Sequence, residues 1–247
     1  MQTTAVEIAV QDVDGLLAAA TGGADRVELC SALGVGGLTP SFGTVQSAVA
    51  AADALGRPGF VQVLVRPRAG GFVYSASEID TTVRDIRAAK LAGAGGIVIG
   101  ALTLDNRVDT AATREFIAAA DGLSVTFHRA IDAGGDPLTA LDTLVELGVT
   151  RVLSSGGAVH SIDGLDQLAA MVAHADGRLQ VMAGGGVSIA GIPALVAAGV
   201  DAVHLSARHV LSAAGPSGPG GGPAEYDATD SKLVLAAVAA ARSTVEA

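Results

Sequence analysis

Residues 124–137 read SVTFHRAIDAGGDP, and they hold one complete structural unit. From Ser124 to His128 the residues alternate, with Val125 and Phe127 on one face and Thr126 and His128 on the other. A period of two is the signature of a strand. Gly134 and Gly135 then loosen the chain, and Asp136 stands where a helix N-cap is wanted. Pro137 follows at the first turn, where its missing N–H is harmless. A short strand, a polar loop and a capped helix make one βα unit.

Working outward, the pattern recurs until eight pairs are counted. The strands are expected at Ala5–Val10, Arg26–Cys30, Phe60–Arg66, Gly96–Gly100, Ser124–His128, Arg151–Ser154, Gln180–Ala183 and Ala202–Ser206. Ser41 precedes the second helix and Ser77 the third. Gly93, Gly122, Gly148, Gly177 and Gly199 each stand between a helix and the next strand. Regular βα alternation means a parallel sheet, and eight units favour closure. The fold class is therefore α/β, a single (β/α)8 TIM barrel over residues 1–247, near the ~250 residues typical of that fold.

Composition agrees. Half the residues are hydrophobic, but aromatics are only 3% and Trp is absent, so Ala, Val, Leu and Ile must build the core. Such residues suit parallel strands buried on both faces. A net charge of −10 argues against a nucleic-acid partner, which needs a basic footprint. No apolar run approaches the ~20 residues of a membrane helix. Met1–Val10 has no basic residue and does not read as a signal peptide. The single cysteine, Cys30, forms no intramolecular disulfide, and a cytoplasmic location is expected. Residues 213–224 read AAGPSGPGGGPA, too poor in apolar side chains to pack. A mobile loop is expected at about 212–229, on the face where this fold carries its chemistry.

Strand parity sorts the candidates. Val6 and Ile8 leave Glu7 on the interior face, and Val27 and Leu29 leave Glu28 and Cys30. Likewise Gln62, Leu64 and Arg66, then Thr126 and His128, then His204 and Ser206, fall on the interior set. Strand C-terminal ends should converge on one pocket. Glu28, His128, Arg66 and Asp132 are the catalytic candidates, His128 foremost as acid/base. Arg68 and Arg129 add forked cations, although the arginines could instead neutralise Glu7 and Glu28. His204 reads as a satisfied core histidine. Ser155 and Gly156 after strand six, Gly184 and Gly185 after strand seven, and Ser206 after strand eight offer an anion cradle. Those glycines could equally serve only tight turns. Glu7, Glu28 and His128 are an alternative set for a hard divalent ion. No CxxC, HExxH or spaced GxGxxG occurs.

The blocks GADRVELC (Gly23–Cys30), GGLTPS (Gly36–Ser41), VRPRAGGFVYS (Val65–Ser75), VTFHRAID (Val125–Asp132), RVLSSGG (Arg151–Gly157) and VMAGGGV (Val181–Val187) together resemble the CutC family. The resemblance implies a TIM barrel, a cytoplasmic homo-oligomer (a dimer in particular), and copper homeostasis with copper(I) bound through cysteines. Other members carry further cysteines, some where this chain has Ala9 and Val10. Copper(I) takes two or three soft donors, and here Cys30 is the metal candidate, with only Met182 or His128 to assist. Two functions stay open: copper binding, with a metal ion as partner, or a lyase, isomerase or hydrolase acting on a small anionic molecule such as a phosphorylated one.

Overall fold

The computed structural model describes residues 3–212 and 224–243. Its centre is a closed barrel of eight parallel strands: β1 (Ala5–Val10), β2 (Arg26–Leu29), β3 (Val61–Leu64), β4 (Gly96–Ile99), β5 (Ser124–Phe127), β6 (Arg151–Ser154), β7 (Gln180–Gly184) and β8 (Ala202–Leu205). Ala5 pairs with Ala202 and Ile8 with Leu205, which closes the sheet. Around it run α1 (Val13–Thr21), α2 (Phe42–Ala54), α3 (Ala76–Leu91), α4 (Thr110–Ala120), α5 (Pro137–Leu147), α6 (Leu165–Ala175), α7 (Ile192–Ala197) and α8 (Ser231–Arg242). No helix among the described residues is long and apolar enough to cross a membrane.

Several strands stop one or two residues short of the sequence expectation, so Cys30, Arg66, Gly100, His128 and Ser206 open the loops at the mouth. The α3 cap is Ser75, not Ser77. Ser75 Oγ accepts from Glu78 N at 3.3 Å, and the Glu78 carboxylate accepts from Ser75 N at 2.7 Å. This is a capping box, which satisfies two orphan donors at once. Asp136 caps α5 as read, accepting from Leu138 N and Thr139 N.

The parity reading describes the core. Val6, Ile8, Val27, Leu29, Val125 and Phe127 belong to the large cluster packed under the helices. Inside the barrel lie two small apolar groups, Cys30 with Leu64 and Val98, and Leu153 with Met182 and Ala202. The floor is polar and internally satisfied. Ser124 Oγ donates to Gln62 Oε1 at 2.7 Å, and Arg151 donates to Thr126 Oγ1 and Gln180 Oε1, both at 2.9 Å. Gly96 makes room for this floor, since a Cβ there would lie 2.0 Å from Gln62 Oε1.

One feature departs from expectation. Arg208–Ser212 (β9) and Glu225–Thr229 (β10) pair antiparallel, Tyr226 opposite Leu211, so both ends of the expected loop at 212–229 are strand. Its Gly/Pro-rich middle, 213–223, lies outside the described residues.

Candidate functional site

A cavity of about 460 Å³ opens at the C-terminal ends of the strands. Glu28, Arg66, His128, Arg129, His204 and Ser206 line it, with Phe72 and Leu153 as apolar walls and Gly185 and Gly186 at the rim.

One side is a buried chain of charges. Glu7 Oε2 accepts from Arg26 Nε at 2.5 Å, and Glu7 Oε1 is 2.8 Å from His204 Nδ1. Glu7 thus takes its partners from the barrel interior and not from Arg66, Arg68 or Arg129. Burial alone would push the Glu7 carboxyl up, but Arg26 and His204 together hold it down at about 2. His204 turns its other nitrogen toward Glu28, 3.6 Å from Oε2. Burial, reinforced by the Glu7 charge, lifts Glu28 to about 7 against the pull of His204. Burial would lower His204, yet Glu28 and Glu7 win and raise it. His204 is therefore the link between two carboxylates, which its lone position in strand eight gave no means of seeing.

On another wall, His128 is 6% exposed. Its Nδ1 accepts from Ala130 N at 3.1 Å, while Nε2 is buried and has no partner among the described residues. Burial and the Arg66 charge bring the ring down to about 3, so it is neutral at physiological pH. With Nδ1 occupied, the neutral ring carries its proton on Nε2, where it is available as a hydrogen-bond donor. Arg66 is also buried, and its guanidinium donates to the carbonyls of Val35, Gly37 and Gly70 at 2.7–3.1 Å. Its Nε has no hydrogen-bond partner among the described residues. Arg66 therefore ties two loops together and, with no carboxylate paired to it among the described residues, places positive charge beside the cavity.

Other candidates go elsewhere. Arg68 pairs with Glu78 and donates to the carbonyls of Gly71 and Val73, away from the cavity. Asp132 is turned into the Ser154–Gly157 turn. Ser155 N donates to its Oδ2 at 3.0 Å, Ser154 Oγ to its Oδ1 at 2.6 Å, and Gly157 N to Oδ1 at 3.3 Å. Arg129 Nε closes the knot from the other side at 2.8 Å. The turn holding Ser155 and Gly156 is thus an anion cradle wound around the Asp132 carboxylate itself. Gly184 lies within β7, while Gly185 (φ +104°) bends the chain at the rim, where a Cβ would meet Arg129 Cζ at 2.8 Å. Phe72 and Val187 were missed by sequence reading because loop residues follow no periodicity.

Copper(I) is poorly served. Cys30 does not line the cavity; it packs against Leu64 and Val98, and burial pushes its thiol well above the usual range. Its Sγ donates to Val10 O at 3.6 Å. Met182 Sδ already accepts from Arg26 Nη2 at 3.3 Å. Among the described residues no three His, Cys, Asp or Glu side chains gather to hold a metal ion.

The two titratable walls should act oppositely on stability. With a raised folded value, Glu28 stabilises below about pH 4.5, and that contribution is lost as pH rises through about 7. With a lowered folded value, His128 stabilises above about pH 6.5, and its contribution is lost as pH falls toward 3. His204 adds a loss on the alkaline side, and Glu7 a loss below about 4.5. Relative to wild type, Glu28→Gln should therefore steepen acid destabilisation between pH 6.5 and 4.5, whereas His128→Gln should make stability decline with rising pH there. Urea titrations across that range check this, and identical slopes in all three proteins would refute it.

The CutC family model matches residues 4–209. A family protein CutC of Xanthomonas campestris pv. campestris is 44% identical over 209 residues, covering 84% of this chain and 85% of the relative. The corresponding protein of Pasteurella multocida is 41% identical over 204 residues, 82% of each chain. The crystal structure of CutC from Streptococcus agalactiae superposes with a TM-score of 0.77 at 33% identity, covering 82% of this chain and 98% of that one. A thiamine phosphate pyrophosphorylase from Pyrococcus furiosus shares the fold alone, with a TM-score of 0.61 at 14% identity. With the closed barrel, the sequence blocks at its mouth and these identities in agreement, the chain belongs to the CutC family.

Proposed function

We propose that this chain is an enzyme acting on a small anionic molecule at the barrel mouth, with Glu28 as its acid/base. The observation that carries this reading is the Glu28 carboxyl, buried on a cavity wall and lifted to about 7. A group that gains and loses a proton near neutral pH is suited to general acid–base work, and burial of that kind clusters at active sites. Arg66 and Arg129 supply positive charge at the same cavity. No hydrogen bond within the described residues uses the N–H groups of Gly185 and Gly186 at its rim. Such groups suit an anion.

The name given to the Streptococcus agalactiae relative points instead to copper homeostasis. Here the donor chemistry does not support a copper(I) site, since Cys30 is sealed off and stays protonated. Thermal melts with inorganic phosphate, oxalate and a set of short oxo acids and sugar phosphates test the enzyme reading. Stabilisation by at least one, with turnover of a stabilising compound lost by roughly 10²–10⁴-fold in Glu28→Gln, is the expected result. No stabilisation by any of them, or full turnover without Glu28, would refute it. An anaerobic copper(I) competition should show equal, weak binding by wild type and Cys30→Ser.

A further inference from the structure

We infer that the molecule turned over at this mouth carries a carbonyl group beside an ionisable C–H, and that His128 Nε2–H is the hydrogen-bond donor to that carbonyl oxygen. This rests on the reading of Glu28 as acid/base and narrows it to one substrate class.

The geometry at His128 is unusually well defined. Because Nδ1 accepts the Ala130 N–H, the ring proton of the neutral imidazole must sit on Nε2. The ring is fixed on both sides. The Phe72 ring lies 5.0 Å away, and on the other side Gly100 leaves just enough space, since a Cβ there would be 2.4 Å from Cε1 and Nδ1. The result is a pre-set N–H on the wall of a cavity, with no acceptor among the described residues. Leaving a buried donor unpaired is costly, and a ligand oxygen removes that cost. Burial and Arg66 keep the ring uncharged, so it donates without surrendering a proton at neutral pH.

The same cavity presents Glu28, and the two together match one kind of step. The Glu28 carboxylate takes a proton from carbon. The C–H electron pair becomes the new C=C bond, and the C=O π pair moves onto oxygen. The negative charge growing there meets His128 Nε2–H, while the cations Arg66 and Arg129 are placed for the substrate's anionic group. The protonated Glu28 trades its proton with solvent and delivers one to the same carbon as the oxygen's electron pair re-forms the C=O bond, giving exchange. Where that carbon also bears a hydroxyl, delivery to the former carbonyl carbon, with the hydroxyl proton passing to the enolate oxygen, gives isomerisation. Nothing is oxidised or reduced, and no co-reactant is required. A donor aimed at the developing oxyanion contributes most when it is already in position and screened from water.

Exchange of substrate C–H in D2O tests this directly, followed by proton NMR with pyruvate, oxaloacetate and dihydroxyacetone phosphate as probes. Wild type should accelerate exchange in at least one of them, Glu28→Gln should abolish it, and His128→Leu should slow it about 10²–10³-fold. His128→Gln, which restores an N–H donor, should recover part of the loss. No accelerated exchange with any probe, or unchanged exchange in a folded His128→Leu, would overturn the inference. If Glu28-dependent turnover of an anion is found without C–H exchange, this inference falls while the acid/base reading stands. Nitrogen-15 NMR of the histidine side chains gives an independent answer: a proton on His128 Nδ1 would overturn it whatever the probes show.

Discussion

Glu7→Ala is expected to lower stability by about 3 kcal/mol, because it removes the fully buried partner of a largely buried ion pair and leaves the other charged. Arg26 loses its 2.5 Å contact, and His204 loses the carboxylate at 2.8 Å. The damage spreads along the floor. Burial and then Arg26 already press the Arg151 guanidinium down to about 10, so these two cations would be left with less to offset them. For a chain of this length the melting temperature should fall by roughly 10 °C. Removing the Glu7 charge should also let Glu28 ionise more easily, since Glu7 helps to raise it. Urea unfolding of the variant checks the first effect, and a change under about 1 kcal/mol would show that the floor is held by packing instead.

Asp132→Ala should be comparably harmful, on the order of 3 kcal/mol, for a different reason. Here the loss is the anion around which a turn is wound. Ser154 Oγ, Ser155 N, Ser155 Oγ, Gly157 N and Arg129 Nε all donate to this one carboxylate. With it gone, those donors keep their geometry only if another anion enters. Formate or sulfate should therefore raise the melting temperature of Asp132→Ala more than that of wild type. Equal responses would mean that the turn is organised by its glycines alone.

Much of this arrangement was legible before any coordinates. The alternation of Val125 and Phe127 against Thr126 and His128 was enough to place His128 inside, and the same reasoning brought Glu28, Arg66 and Ser206 to one cavity. Where reading failed, the cause was physical. Arg66 and Arg68 share parity, but β3 ends at Leu64 and Pro67 breaks the alternation, so Arg68 turns away to Glu78. Asp132 and Ser155 are 23 residues apart, and nothing local says that one fills the turn of the other. Ser77 was read as preceding α3, whereas the signal that places the cap at Ser75 is Glu78, three residues after it. The β9–β10 pair was hidden by the low-complexity stretch between its strands.

The seam between β1 and β8 has a bearing on how the chain is made. Glu7 and His204 are 197 residues apart, so almost the whole polypeptide must leave the ribosome before they can meet. Contacts of such long range form late and slowly. Until then β1 presents an unpaired edge able to recruit other strands. Glu7 on that strand then has Arg26 but lacks its second partner, which favours keeping the carboxylate wet and the barrel open. Docking of β8 covers the edge and completes the charge pairing in one event, so a half-made barrel gains little from closing early.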